Sequence, residues 1–193
     1  MVNVLDKIQP KTKEQLKQLI NYAFKHNIYD LNFIDTSKIT DMSGLFTCIA
    51  HDFDVSGWDV SNVANMSQMF YFCVNFNCDL SCWDVSNVKN MRQIFYGCIS
   101  LNTDLSNWDV SNVTNMFGMF CGCANFNCDL SNWNMANVKT TRYMFSGCES
   151  FEGKGLDNWD VSKVKDMKNM FAGCDKMSIP NWYKKLYIVK NKI

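Results

Sequence analysis

The stretch WDVSNVTNMFGMFCGCANFNCDLSN, residues 108–132, decides the fold because nearly the same phrase recurs along the chain. A tryptophan opens most copies, and successive tryptophans from Trp58 to Trp159 follow one another at a nearly constant interval. Ile34 precedes them by nearly the same interval, and Trp182 follows them in a decayed copy. A fixed period in the twenties over more than five copies indicates stacked repeats, one per turn. Repeats 1 to 6 begin at Ile34, Trp58, Trp83, Trp108, Trp133 and Trp159.

The middle of each repeat predicts a short helix. In repeat 2, Met66, Met69, Phe70 and Cys73 stand at i, i+3, i+4 and i+7, the spacing of one helix face. The polar residue before them can accept a hydrogen bond from a free N–H of the first turn. A glycine just before the recurring cysteine fits a helix that ends there. The capping positions are Asp41, Asn65, Asn90, Asn115, Thr140 and Asp166, and the glycines are Gly97, Gly122, Gly147 and Gly173.

The next stretch predicts a strand. In FNCDL of repeat 4, Phe126, Cys128 and Leu130 alternate with Asn127 and Asp129. A period of two is typical of a half-buried strand with one apolar and one polar side. If the repeats stack about 4.8 Å apart, these strands would form a parallel sheet along one face.

The patterns together predict an α/β fold, a solenoid of about six turns with a short strand and a short helix in each turn. An apolar helix face in residues 11–26, with Thr12 as its cap, and Trp182, Leu186 and Val189 after Pro180 predict helical caps. The predicted division is residues 1–33 for the N-terminal cap, 34–174 for the repeats and 175–193 for the C-terminal cap, all in one structural domain. Recurring acids such as Asp109 are interpreted as turn-formers, because carboxylates readily accept backbone N–H groups.

The phrases WDVSNVTNM, MFYFC and NFNCDLS resemble the BspA-like leucine-rich-repeat surface proteins of bacteria, whose repeats have a similar length. The lead-in KTKEQLKQLI…DLNFIDTSKITDMSGLF is also similar to the segment that precedes the first repeat in that family. The resemblance implies a leucine-rich-repeat-like solenoid and a role in binding or adhesion, with no catalytic residues to transfer. It also implies a location at the cell surface.

The distribution of charge along the chain limits the classes of partner that it could bind. Residues 1–30 carry five lysines and three acids (+2), residues 31–159 six bases and thirteen acids (−7), and residues 160–193 eight lysines and three acids (+5). The acidic middle argues against nucleic acid as the partner, since phosphate contacts need clustered Lys and Arg. No apolar run approaches the ~20 residues that span a bilayer. The opening residues show no secretory signal pattern, which favours the cytoplasm and conflicts with the location that the resemblance implies.

The ten cysteines fall into three groups. Six are assigned to one helix-end position, where small buried apolar groups would form a ladder: Cys48, Cys73, Cys98, Cys123, Cys148 and Cys174. Cys78 and Cys128 take an inward strand position. Cys82 and Cys121 fall at variable positions and are the candidate exposed thiols. Reduced thiols are favoured throughout, because the ladder needs no oxidation to pack.

The sequence predicts no enzyme and no cofactor. His26 and His51 lie outside the repeated phrase, and no nucleophile elbow, phosphate loop or zinc-helix motif is present. Cys73, Cys78 and Cys82, or Cys121, Cys123 and Cys128, are the candidate zinc ligands, but their spacings mix positions that point in different directions. Calcium was weighed on the Asp/Asn rows, although a flat row spreads its oxygens. No metal site is therefore predicted.

The polar side of the predicted strands is the candidate binding face. Repeat proteins present such faces to partners, and an acidic, hydroxyl-rich strip suits a basic or glycan-bearing protein. We therefore expect a non-catalytic protein-interaction or adhesion module. The alternative is a structural protein whose ends or faces pair with other copies, and homo-oligomerisation stays open. The face residues are Asn77, Asp79 and Ser81, then Asn102, Asp104 and Ser106, then Asn127, Asp129 and Ser131.

Overall fold

The structure is a computed structural model that describes residues 7–190, with the backbone alone for residues 186–190. The predicted contacts of Leu186 and Val189, and the outermost residues of both predicted caps, therefore lie outside the described side chains. Helix α1 spans Lys13–Lys25, a single 3-10 turn spans Leu156–Asn158, and helix α2 spans Asn181–Lys190. Between residues 7 and 190 the only β-structure is a set of isolated parallel bridges.

The predicted α/β solenoid with a parallel sheet on one face is wrong. Within the described part of the chain the repeats contain neither the predicted short helices nor extended strands, apart from the 3-10 turn. Each repeat is instead a series of tight turns, and the chain is a stack of such repeats.

The helix prediction fails because the N–H groups of Met66–Cys73 alternate between two kinds of acceptor. The N–H groups of Met69, Tyr71 and Cys73 bond three residues back within repeat 2, and that of Ser67 donates to Asn65 Oδ1. The others donate into repeat 3, at 2.7–3.0 Å, instead of closing a helix. Gln68 and Phe72 have left-handed φ values of 58° and 55°, which an α-helix does not allow. The bonds into repeat 3 run from Met66, Gln68, Phe70 and Phe72 to Asn90, Arg92, Ile94 and Tyr96.

The strand prediction for FNCDL separates buried from outward side chains correctly, but the segment does not pair with neighbouring repeats as a strand. Phe126, Cys128 and Leu130 are buried, whereas Asp129 is exposed and Asn127 is half-buried. This segment forms no β-bridge. The N–H of Asn127 donates to the side-chain oxygen Oδ1 of Asn102 at 3.1 Å. In a sheet, the acceptor would be a backbone carbonyl of the neighbouring strand. Two of the parallel bridges of residues 7–190 join Ile8 to Ile34 and Asp30 to Asp54. The other five lie at the predicted capping positions and link Asp41, Asn65, Asn90, Asn115, Thr140 and Asp166 in series.

One continuous apolar core runs through the stack. A phenylalanine from each repeat lies on the next, with ring centroids 5.5–5.8 Å apart and planes within 12° of parallel. Each buried large side chain contributes about 1.5–3 kcal/mol. The repeating indole Nε1–H groups also find acceptors, as Trp108 does at the carbonyl of Leu80, 3.0 Å away. The phenylalanine ladder is Phe46, Phe70, Phe95, Phe120, Phe145 and Phe171.

The two ends of the stack differ. Leu16, Ile20 and Ala23 of α1 are buried in the same core, and Thr12 Oγ1 accepts the N–H of Gln15 at 3.2 Å. In repeat 6, Trp159 and Met170 are buried, whereas Val161, Val164, Met167 and Phe171 are only partly buried. Within residues 7–190 the N–H groups that would bond into a seventh repeat have no acceptor: Met167, Asn169, Phe171 and Gly173. The predicted division into caps and repeats stays a prediction.

We expect Trp108→Ala to lower the free energy of unfolding by about 3–5 kcal/mol, because it removes a core ring. Trp108 is 2% exposed and stacks on Trp83 at 6.4 Å. Trp108→Phe should lose less, since it keeps an aromatic ring but not the bond to Leu80. Chemical denaturation measures the effect. Asn107→Ala, at an exposed neighbour, is the control and should change stability by less than about 0.5 kcal/mol. Equal effects for Trp108→Ala and Asn107→Ala would contradict the assignment.

Candidate functional site

The three asparagines of the predicted binding face hold the stack together. The side-chain oxygen of each accepts the N–H of the equivalent residue in the next repeat. The distances are 2.7 Å from Asn102 to Asn77, 3.1 Å from Asn127 to Asn102, and 3.0 Å from Glu152 to Asn127. The oxygens of this row therefore already accept hydrogen bonds, and the side chain of Asn127 also hydrogen-bonds the carboxylate of Glu152.

The three aspartates of the same face are exposed, and each is held by its own turn. Asp79, Asp104 and Asp129 accept the N–H of the serine two residues later at 2.9 Å. Backbone and side-chain hydrogen bonds from that serine hold the pKa of each carboxyl below its ordinary value. The three carboxylates are therefore ionised at neutral pH. The serines are Ser81, Ser106 and Ser131.

Asp54 in repeat 1 extends this row. Its Oδ1 accepts the N–H of Ser56 at 2.8 Å and lies 3.4 Å from the thiol of Cys78. Hydrogen bonds from Ser56 lower the pKa of Asp54. We name Asp54, Asp79, Asp104 and Asp129 the acidic column, because one carboxylate from each of four consecutive repeats contributes to it.

The acidic column opens at one end into a concavity of about 440 Å³. Asp30 and Asp52 join Asp54 and Asp79 in its lining. Sequence reasoning missed these two acids and Tyr29. Asp30 could have been found, because it lies one repeat length before Asp54 and forms a parallel bridge with it. Asp52 stands outside the repeated phrase and gave no such signal.

A second row of aspartates lies in the turn that follows each tryptophan. Asp59, Asp84, Asp109 and Asp160 each accept the N–H of the serine two residues later, at 2.9–3.0 Å. All four are exposed. They have the same local geometry as the acidic column at a different place on the turn, which makes them a natural comparison for it.

The ladder thiols donate hydrogen bonds to backbone carbonyls. Cys98 Sγ lies 3.0 Å from the carbonyl of Phe70, and Cys73, Cys123, Cys148 and Cys174 repeat this contact at 2.9–3.0 Å. Burial raises the pKa of Cys73 to about 12. The assignment of Cys48 to this ladder is wrong. Cys48 is exposed with a φ of 62°, and the residue equivalent to Cys73 is Ile49, whose N–H bonds the carbonyl of Phe46 as that of Cys73 bonds Phe70.

The two candidate exposed thiols differ. Cys82 is exposed. Cys121 is half-buried, and burial raises the pKa of its thiol. The clusters weighed for zinc are not brought together: in the first, Cys73 points to a carbonyl in the core, Cys78 to Asp54, and Cys82 outward. In the described residues 7–190, no group of three His, Cys, Asp or Glu side chains could hold a metal ion.

Comparison with known proteins identifies one family. The family described as "Mycoplasma protein of unknown function, DUF285" matches residues 14–108 and 79–183, two overlapping copies that together cover most of the chain. No curated protein and no solved structure matches the chain. Neither α1 nor α2, the helices of residues 7–190, is long and apolar enough to cross a membrane.

We expect two thiols of the native protein, Cys48 and Cys82, to react rapidly with a disulfide reagent near pH 8, because only these two are exposed in the structure. Cys121 should react more slowly, since its raised pKa reduces the thiolate fraction. Cys78 and Cys174 are also half-buried with raised pKa values and should likewise react slowly, and the five buried thiols should react only on unfolding. A time course of thiol release measures this, and the double variant Cys48→Ser/Cys82→Ser should lose the fast phase. A fast phase that persists in that variant would contradict the assignment.

Proposed function

Since the chain belongs to this DUF285 family of repeat proteins, whose description assigns no activity, we propose that it is a non-catalytic binding module. Its acidic column engages a positively charged partner, a protein or a glycan-bearing protein. The observation that carries the proposal is the row of four carboxylates, one per repeat, fixed in orientation by their serine N–H bonds.

The acidic column is not neutralised by the chain itself. Residues 7–190 contain three ion pairs, Lys13–Asp41, Arg142–Asp166 and Lys154–Glu152, and none involves the column. Lys154 acts on one end of it, lowering the pKa of Asp129 by Coulombic attraction. The negative charges along the row repel one another, and the charge of Asp104 acts to raise the pKa of both Asp79 and Asp129. A cationic partner would relieve this repulsion.

The geometry favours a linear cationic segment over a small ligand. Acids recur once per repeat along the stack, so lysines or arginines along an extended partner can meet several of them. Individual exposed pairs contribute only about 0.2–1 kcal/mol, and binding therefore depends on the whole row. The exposed amides and hydroxyls beside the acids can hydrogen-bond a partner's backbone or sugars.

The resemblance of the repeated phrase to the BspA-like surface proteins supports the same proposal. That family implies binding or adhesion, and a display of this face at the cell surface is consistent with it. The charge of the acidic column defines the class of the partner, a positively charged protein or glycan-bearing protein.

We expect the triple variant Asp79→Asn/Asp104→Asn/Asp129→Asn to weaken binding of a polylysine peptide about tenfold, as three exposed charge pairs would. Asparagine keeps an oxygen for the serine N–H, so the turns should persist. Isothermal titration at low ionic strength measures the affinity.

The matched control is Asp59→Asn/Asp84→Asn/Asp109→Asn, which removes the same charge from the turn row. If both triples weaken binding equally, net charge rather than the acidic column binds the peptide, and the proposal is wrong.

A further inference from the structure

Basic residues also recur at equivalent positions of several repeats. Lys89, Lys139 and Lys165 occupy one repeat position, and Arg92, Arg142 and Lys168 occupy the position three residues later. Repeats 3, 5 and 6 supply them, while repeat 4 has Thr114 and Phe117 at the two positions. We name these six cations the basic column.

Most of the basic column is free of acidic partners. Within residues 7–190, Arg142 alone of the six forms an ion pair, at 3.6 Å from Asp166. The five others are exposed. Two guanidiniums are held in place by aromatic rings: Arg92 lies 4.4 Å from the centroid of Phe117, and Arg142 lies 5.1 Å from that of Tyr143. Such contacts reduce the entropy lost when the side chain binds an anion.

The acidic and basic columns occupy well-separated positions of each repeat. Asp104 comes twelve residues after Arg92 and ten residues before Thr114, the position equivalent to Lys89 in the next repeat. The aspartate therefore lies about halfway along the sequence between successive basic positions. The repeat position that directly follows Lys89, Lys139 and Lys165 carries a carboxylate only in Asp41 and Asp166, and both already pair with cations.

Both columns have the same axial spacing, because both follow the stacking of the repeats. Consecutive rings of the phenylalanine ladder lie 5.5–5.8 Å apart between centroids, so the repeats stack at a nearly constant interval. A row of carboxylates on one molecule can therefore meet a row of cations on an identical molecule with no mismatch accumulating along the contact.

We infer that the basic column is the docking surface for the acidic column of a second copy of this chain. The inference rests on the proposed function and names its cationic partner. The total of 19 basic and 19 acidic residues gives a net charge of zero, so whole-molecule repulsion does not oppose the contact. The two surfaces differ, so the contact between two copies is heterologous. Each copy at the end of such an assembly still has one free column, so further copies can add side by side.

The experiment uses two charge-reversal variants of the full chain. The first, Asp79→Lys/Asp104→Lys/Asp129→Lys, carries two basic faces; the second, Lys89→Glu/Lys139→Glu/Lys165→Glu, carries two acidic faces. At about 20 mM salt, where screening is weak, light scattering and sedimentation should show that the wild type associates with rising concentration. Each variant alone should stay monomeric, with its apparent association constant at least about tenfold lower, and an equimolar mixture should associate again. Recovery on mixing also shows that both variants fold.

Lys11→Glu/Lys17→Glu/Lys38→Glu is the control with the same net charge as the second variant. These lysines are exposed and lie outside the basic column, so this variant should associate like the wild type. Three results would overturn the inference: a monomeric wild type, a control as impaired as the second variant, or association of both variants alone, which would point to the open end at repeat 6. Heparin binding to the basic column of a monomeric wild type would assign that face to an anionic polymer.

The polylysine titration separates this inference from the proposed function. The second variant keeps the acidic column and should bind polylysine at least as well as the wild type while failing to associate with itself. A wild type that binds polylysine and stays monomeric overturns the inference and leaves the proposed function standing. An acidic-column Asn triple that binds polylysine like the wild type overturns the proposed function.

Discussion

The structure depends on how each repeat divides its backbone N–H groups. In the segment Met66–Cys73, alternate N–H groups close tight turns within the repeat, and those between them bond to carbonyls of the next repeat. An isolated repeat would leave half of these donors unpaired, which is costly wherever water is excluded. The repeats therefore stabilise one another, and the unpaired donors of repeat 6 follow from the absence of a seventh repeat of the same form in the described chain.

Stacking also explains the conspicuous chemistry of the repeated phrase. The tryptophan N–H, the cysteine S–H and the asparagine oxygen each contact the backbone of a neighbouring repeat. Residues that look like parts of an active site thus satisfy polar groups along the stack. Other outward side chains form the two charged columns, because equivalent positions of successive repeats mostly face the same way. Charge sums along the sequence hide these columns, since each column takes only one or two residues from each of several repeats.

The sequence predicted the repeat length, the buried residues and the outward aspartates, but it misassigned the local structure. The spacing of Met66, Met69, Phe70 and Cys73 is that of a helix face, and all four are buried as a helix face would be. Tight turns that alternate in direction bury the same positions, so burial periodicity does not separate the two structures. The left-handed φ of non-glycine residues such as Gln68 and Phe72 had no sequence signal. Cys48 was misplaced because the shortened first repeat shifts the ladder position to Ile49.

The sequence by itself determined that the chain is a repeat protein, which side chains enter its core and which acids recur on its surface. These properties depend on which types of side chain recur at a fixed period, and the same pattern is present in each repeat. Only the tertiary structure decided where the backbone hydrogen bonds go, and therefore that the repeats are turns and not helices and strands. The acceptor for Phe70 N–H is the carbonyl of Ile94, which belongs to the next repeat. Local patterns cannot report such a partner, because it exists only once the repeats have stacked.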